Sequence, residues 1–188
     1  MIALVLALSL AAPEEVHEIA AAPPARYPFA SKNSLIFKKP IERDGFHFQI
    51  MFGIGGGKDT DGVHHAMEIG GTLPGTGVTL ALLHTFVQNA GVIGPERGPD
   101  LVGGWMAEVK FPIFFPEIEL KFALGLGGLH DQSNGIRVIP GVGWAYGVDW
   151  QFPFATRSGA TIGFTFVHAW IGLDHYFTAS VGTGYTFF

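Results

Sequence analysis

The chain has 188 residues, of which 48% are hydrophobic and 14% charged, with 27 glycines, no cysteine and a formal net charge of −5. That length suits one domain, and the charged fraction is well below the roughly 25% of an ordinary soluble domain. A negative balance without a Lys/Arg run offers nucleic acid no electrostatic surface, and the lack of cysteine removes disulfides and thiolate metal sites.

Ile2 to Leu10 is an apolar run of signal-peptide length, and Ser9-Leu10-Ala11 places small residues where a signal peptidase reads. The positive charge that normally precedes such a run is missing, so residues 1–12 are expected to be an export signal whose start is truncated or wrongly chosen. Residues 13–44 mix Pro, Ala and charge without a period, which predicts an irregular periplasmic lead-in to a barrel over 45–188.

From Gly45 the dominant period is two. Phe46, Phe48, Ile50, Phe52 and Ile54 share one face, and His47, Gln49, Met51, Gly53 and Gly55 share the other. The same alternation predicts eight strands, over 45–56, 63–73, 77–87, 101–111, 117–129, 136–150, 160–170 and 175–188. Each is near or above the roughly 9–11 residues of a tilted membrane strand, whereas no later segment approaches the ~18 apolar residues of a spanning helix.

The connections alternate in character. Those at 73–77, 112–116 and 155–159 are compact and rich in turn residues; those at 57–62, 88–100 and 130–135 are longer or more polar, and a tight one lies at 172–174. An even strand count puts both termini on the compact, periplasmic side and the other connections outside.

A soluble eight-stranded barrel also alternates, but it hides its bulky face. In the fifth segment Ile118, Leu120, Phe122, Leu124 and Leu126 oppose Glu119, Lys121, Ala123, Gly125 and Gly127; in the sixth, Val142, Trp144, Tyr146, Val148 and Trp150 oppose Gly141, Gly143, Ala145, Gly147 and Asp149. The interior of eight strands holds only side chains of modest size, so the Gly/Ala face fits inside and the aromatic face belongs to lipid. Charges on the inner face must then be paired. A turn centred near Phe114 and Phe115 would set Glu108 opposite Lys121 and Lys110 opposite Glu119, with Glu68, Arg137 and Asp149 as further inner-face charges. The expectation is an all-β, up-and-down transmembrane barrel whose glycine-rich lumen is closed by ion pairs.

Two short motifs carry less. Asp59-Thr-Asp61-Gly62 lacks the spacing and terminal Glu of a calcium loop and reads as a polar turn. His64 and His65 are neighbours on a strand, so one points inward and the other outward, and no resident metal or cofactor is expected.

The chain ends on Val181-Gly-Thr-Gly-Tyr-Thr-Phe-Phe188, which resembles the C-terminal strand signal read by the outer-membrane assembly machinery, with Tyr185, Phe187 and Phe188 as its aromatics. Together with the Gly-Val-Gly-Trp-Ala-Tyr-Gly run at 141–147 and the glycine-rich inner faces, it makes the segment from Gly45 to Phe188 similar to the small OmpA-type and opacity-like outer-membrane barrels. The resemblance implies a Gram-negative outer-membrane location, with lipid, lipopolysaccharide and the assembly machinery as partners. It leaves the oligomeric state open.

The group also includes enzymes that deacylate or acylate lipid A near the outer rim. Candidates for such chemistry are His130, Ser133, His168, Asp174 and His175. The deacylases place His and Ser two apart on a late strand, whereas here His168-Ala-Trp170 has Trp in the second position. A structural or surface-interaction role is therefore the leading expectation, ahead of a small-molecule passage channel and a lipid A acyl hydrolase or transferase.

Overall fold

The computed structural model describes Arg43 and residues 45–57, 61–89, 101–131, 137–155 and 157–188, with Asp131 and Arg137 described by backbone alone. The expected export signal and nearly all of the lead-in lie outside the described residues, as does Ser133. Eight strands follow in chain order: β1 Gly45–Gly57, β2 Asp61–Thr72, β3 Thr79–Asn89, β4 Leu101–Ile113, β5 Phe115–Asp131, β6 Arg137–Ala155, β7 Ser158–Ile171 and β8 Asp174–Phe187. Each pairs antiparallel with the next, and β8 pairs with β1 from Phe48↔Phe187 to Gly57↔Thr178, closing the barrel. Closure removes the two free edges that an open sheet would present.

Side-chain polarity is inverted relative to a soluble barrel. In β1, His47, Gln49 and Met51 are buried while Phe46, Phe52 and Ile54 stand 53–70% exposed. Leu124, Leu126 and Val142 continue that apolar exterior on β5 and β6 at 57–67% exposure, and Trp105, Trp150, Trp170 and Tyr185 are also exposed. The inward positions hold Lys110, Lys121, Glu68, Glu119 and Asp149, each at most 2% exposed.

One end of the barrel, here the turn end, carries the connections β2–β3, β4–β5 and β6–β7 together with the start of β1 and the end of β8. The β2–β3 turn uses Gly75 and Gly77 at positive φ, and its Thr76 hydroxyl donates to the Leu73 carbonyl at 2.9 Å. At the opposite loop end, β7 and β8 are joined through Gly172 at φ 64°, where a side chain would be strained.

The β4–β5 hairpin departs from the register expected from sequence. Phe114 alone makes the turn, at φ 59°, and Ile113 pairs with Phe115; Pro112 then pairs with Glu119, so Pro116, Glu117 and Ile118 bulge out of the β4 ladder. Pro112 and Pro116 have no N–H to give to a ladder, so a bulge here costs little pairing. Beyond it Lys110 faces Lys121 and Glu108 faces Ala123, which replaces the expected Glu108–Lys121 and Lys110–Glu119 oppositions.

Candidate functional site: the charged lumen

The inward faces of β1, β2, β4, β5 and β6 converge on one network near the turn end. Lys110 Nζ donates to Glu68 Oε2 at 2.7 Å, Asp149 Oδ2 at 2.8 Å and Gln49 Oε1 at 3.2 Å, and lies 3.4 Å from Glu119 Oε2. Lys121 Nζ donates to Asp149 Oδ1 at 2.7 Å and lies 3.8 Å from Glu68 Oε1. Gln49 joins the two carboxylates from the side, its amide nitrogen donating to Glu68 Oε1 at 3.1 Å and to Asp149 Oδ2 at 3.0 Å. Its carbonyl oxygen accepts from the Thr186 hydroxyl at 2.8 Å, which ties the seam strands β1 and β8 into the network. His47 Nε2 sits 3.3 Å from Glu68 Oε2.

Glycine makes the room for these side chains. Gly147 is directly opposite Lys121, where an added Cβ would lie 2.8 Å from Lys121 Cε; Gly163 is directly opposite Asp149, where it would lie 2.5 Å from Asp149 Oδ1. A pair of bulky residues at these positions would displace the charges they oppose.

Below the network, Arg43 enters the turn end from just ahead of β1. Its guanidinium donates to the Glu119 carboxylate, the Pro116 carbonyl and the Gln151 side-chain oxygen, and lies 5.5 Å over the Phe188 ring. Gln151 in turn donates to Glu119 Oε2 at 2.6 Å. Arg43, Lys110 and Lys121 thus meet Glu68, Glu119 and Asp149, so the linked cations and carboxylates balance. Such matching is what buried charge requires to persist away from water. Glu108 stands apart: it is 4% exposed, and neither carboxylate oxygen accepts a hydrogen bond from a described residue.

Towards the loop end the lumen turns apolar. Met51, Ala66, Leu83, Met106, Ala123, Ala145 and Val167 form one contact cluster, with one residue from each of β1 to β7. Beyond it the inward-facing His64 donates to or accepts from Thr85 Oγ1 at 3.0 Å, and Val102, Leu129, Ala169 and Ile171 pack with Tyr176 in a second cluster. Met51, Leu83, Met106 and Lys110 are at most 1% exposed.

The other residues singled out in the sequence are dispersed. Arg137 opens β6 opposite Asp131. Tyr185 and Phe187 face outward, whereas Phe188 is buried at the turn end beneath Arg43, and its N–H donates to the Arg157 carbonyl at 2.8 Å. Of the residues considered for acyl transfer, His168 and His175 meet on the outer wall at 2.9 Å, Asp174 opens β8, and His130 lies near the end of β5, which pairs only with β4 and β6. No hydroxyl nucleophile is brought to the His168–His175 pair among the described hydrogen bonds. Arg43, His47, Gln49 and Gln151, all part of the network, were not distinguished by sequence; alternation places His47 and Gln49 on an inner face without marking them as partners, and Gln151 lies one residue beyond the expected sixth strand.

No family model matches the sequence, nor does any curated protein. Among solved structures, the chain is similar to Neisserial surface protein A (NspA), at TM-score 0.55 and 12% identity, over 78% of this chain and 98% of that one. It is also similar to the N-terminal β-barrel domain of Pseudomonas aeruginosa OprF, at TM-score 0.50 and 13% identity, over 78% of this chain and 100% of that one. The chain has the fold of the small OmpA-like eight-stranded outer-membrane barrels.

Proposed function

We propose that the protein is an integral outer-membrane barrel with a structural or surface-interaction role, whose lumen is closed to passage. The observation that carries this reading is the inversion of polarity: Phe52, Ile54, Leu124 and Leu126 face out at 53–70% exposure while Lys110, Glu68 and Asp149 sit inside at 0%. In water that arrangement would forfeit the hydrophobic stabilisation of the apolar wall; in a bilayer the wall meets hydrocarbon, and the closed ladder satisfies the strand backbone. Strands of 11 to 19 residues are long enough to cross.

In this reading the turn end is periplasmic, the wall contacts lipid and lipopolysaccharide, and the outward Tyr185 and Phe187 with Phe188 are the strand signal recognised during assembly. Filling of the lumen by ion pairs and by the apolar clusters favours the closed role over a passage channel. Expression in a Gram-negative host tests the reading: the protein is expected in the outer-membrane fraction, with folded material that migrates differently on gels before and after boiling. Recovery in the soluble periplasm would contradict it. A lipid A-modifying role is tested in the same cells by mass spectrometry, where an unchanged lipid A profile is expected.

A further inference from the structure

We propose that His168 and His175 form a two-imidazole binding site for a first-row divalent transition-metal ion on the outer wall of the barrel. The two rings come from β7 and β8 on either side of the turn through Gly172, and His168 Nδ1 faces His175 Nε2 at 2.9 Å. Two nitrogens that bind one tetrahedral Zn2+ at 2.0–2.1 Å stand roughly 3.4 Å apart, so the ion is admitted when the pair opens by about 0.5 Å and both rings turn to bring their in-plane lone pairs together on it. The ring that now donates must carry its hydrogen on its other nitrogen instead, a tautomer change that releases no proton.

Stacking holds both rings for this task. His168 lies on Trp144 with centroids 4.4 Å apart and planes within 21°, His175 lies on Trp170 at 4.5 Å and 23°, and the two imidazoles are within 15° of each other. Little side-chain freedom remains to be lost when a metal binds, which favours affinity. The other outward histidine pair lacks this geometry: His65 and His84 meet edge-on, at 6.1 Å and 64°.

The ligand class follows from the donors. Neutral imidazole suits Zn2+, Cu2+ and Ni2+, whereas Ca2+ and Mg2+ require oxygen-rich shells. His175 is exposed beside the loop-end turn, so the remaining positions on the ion face outward. They are filled by oxygen, from water or from the phosphate of a neighbouring lipid; the second source rests on the membrane reading above, the imidazole pair does not.

The test uses the full chain refolded in phosphate-free maltoside micelles and titrated with Ni2+ or Cu2+ alone. Two of the four tryptophans, Trp144 and Trp170, stack on the pair, so saturable quenching of their emission is expected. H168Q and H175Q should each abolish that saturable phase, and H65Q should keep it. Quenching of equal amplitude and midpoint in H175Q and the parent would overturn the proposal, as would no saturable quenching in the parent. Nitrogen NMR of the Zn2+-loaded parent gives a readout independent of any variant's folding: His168 Nδ1 and His175 Nε2 are expected to shift, and unmoved resonances would overturn the site. Repeating the titration in phospholipid nanodiscs separates the oxygen sources, since a tighter midpoint assigns the oxygen to phosphate and an unchanged one to water.

Discussion

Lys110 and Lys121 stand directly opposite each other across the β4–β5 ladder, and one carboxylate holds both: Asp149 Oδ2 accepts from Lys110 at 2.8 Å and Oδ1 from Lys121 at 2.7 Å. Like charges directly opposite destabilise a ladder, so Asp149 is the keystone of the network. D149N leaves the buried cations Arg43, Lys110 and Lys121 with only two linked carboxylates, Glu68 and Glu119, and should cost about 3–5 kcal/mol. Urea unfolding of the refolded barrel in lipid vesicles measures it, and a loss below about 1 kcal/mol would mean the lysines find other partners.

Glu108 should behave in the opposite way despite lying two residues from Lys110. Its carboxylate accepts no hydrogen bond from a described residue, so E108Q removes no specific bond and should lower stability by less than about 1 kcal/mol. Had the Glu108–Lys121 opposition expected from sequence formed, the same substitution would cost several times more. Comparing E108Q with D149N in one assay therefore tests the β4–β5 register as well as the charge pairing.

Arg43 is held at the turn end by three acceptors. R43M withdraws donors from Glu119, Gln151 and the Pro116 carbonyl at once, and should cost about 3 kcal/mol. R43K should recover only part of this, because an ammonium cannot reproduce the planar fork of a guanidinium. Equal stability of R43K and the parent would show that charge alone suffices.

The closing seam is expected to be intolerant of side chains at glycine. An alanine Cβ at Gly53 would meet the Val181 carbonyl across β1–β8, so G53A should lose at least about 2 kcal/mol through overpacking. G128A, whose Cβ would have its nearest contact at 3.4 Å, from the Ile139 carbonyl, should lose less than about 0.5 kcal/mol. The folded fraction after refolding, read from migration of unboiled samples, distinguishes them.

Much of this was legible in the sequence because strand period and side-chain size carry it. The alternation of Phe46, Phe48, Ile50, Phe52 and Ile54 with His47, Gln49 and Met51 is enough to define β1 and its two faces, and the terminal strand's closure against β1 follows from the need to leave no edge. The β4–β5 register was not legible: alternation says which face a residue takes, but a bulge at Pro116 to Ile118 moves opposed residues along the strand without changing their face. Nor was the apolar septum, since Met51, Leu83 and Met106 come from separate strands and meet only once the barrel closes. Arg43 carried no local signal, because its partners Glu119 and Gln151 lie 76 and 108 positions away.

In the proposed reading two levels close the lumen, the Lys110–Asp149–Lys121 network and the Met51–Leu83–Met106 layer. Single-channel recording of the refolded protein in planar bilayers reports on that closure. The parent is predicted to show no steady open level, because both levels must be breached before ions pass. A stable, reproducible conductance from the unaltered protein would show the lumen to be open.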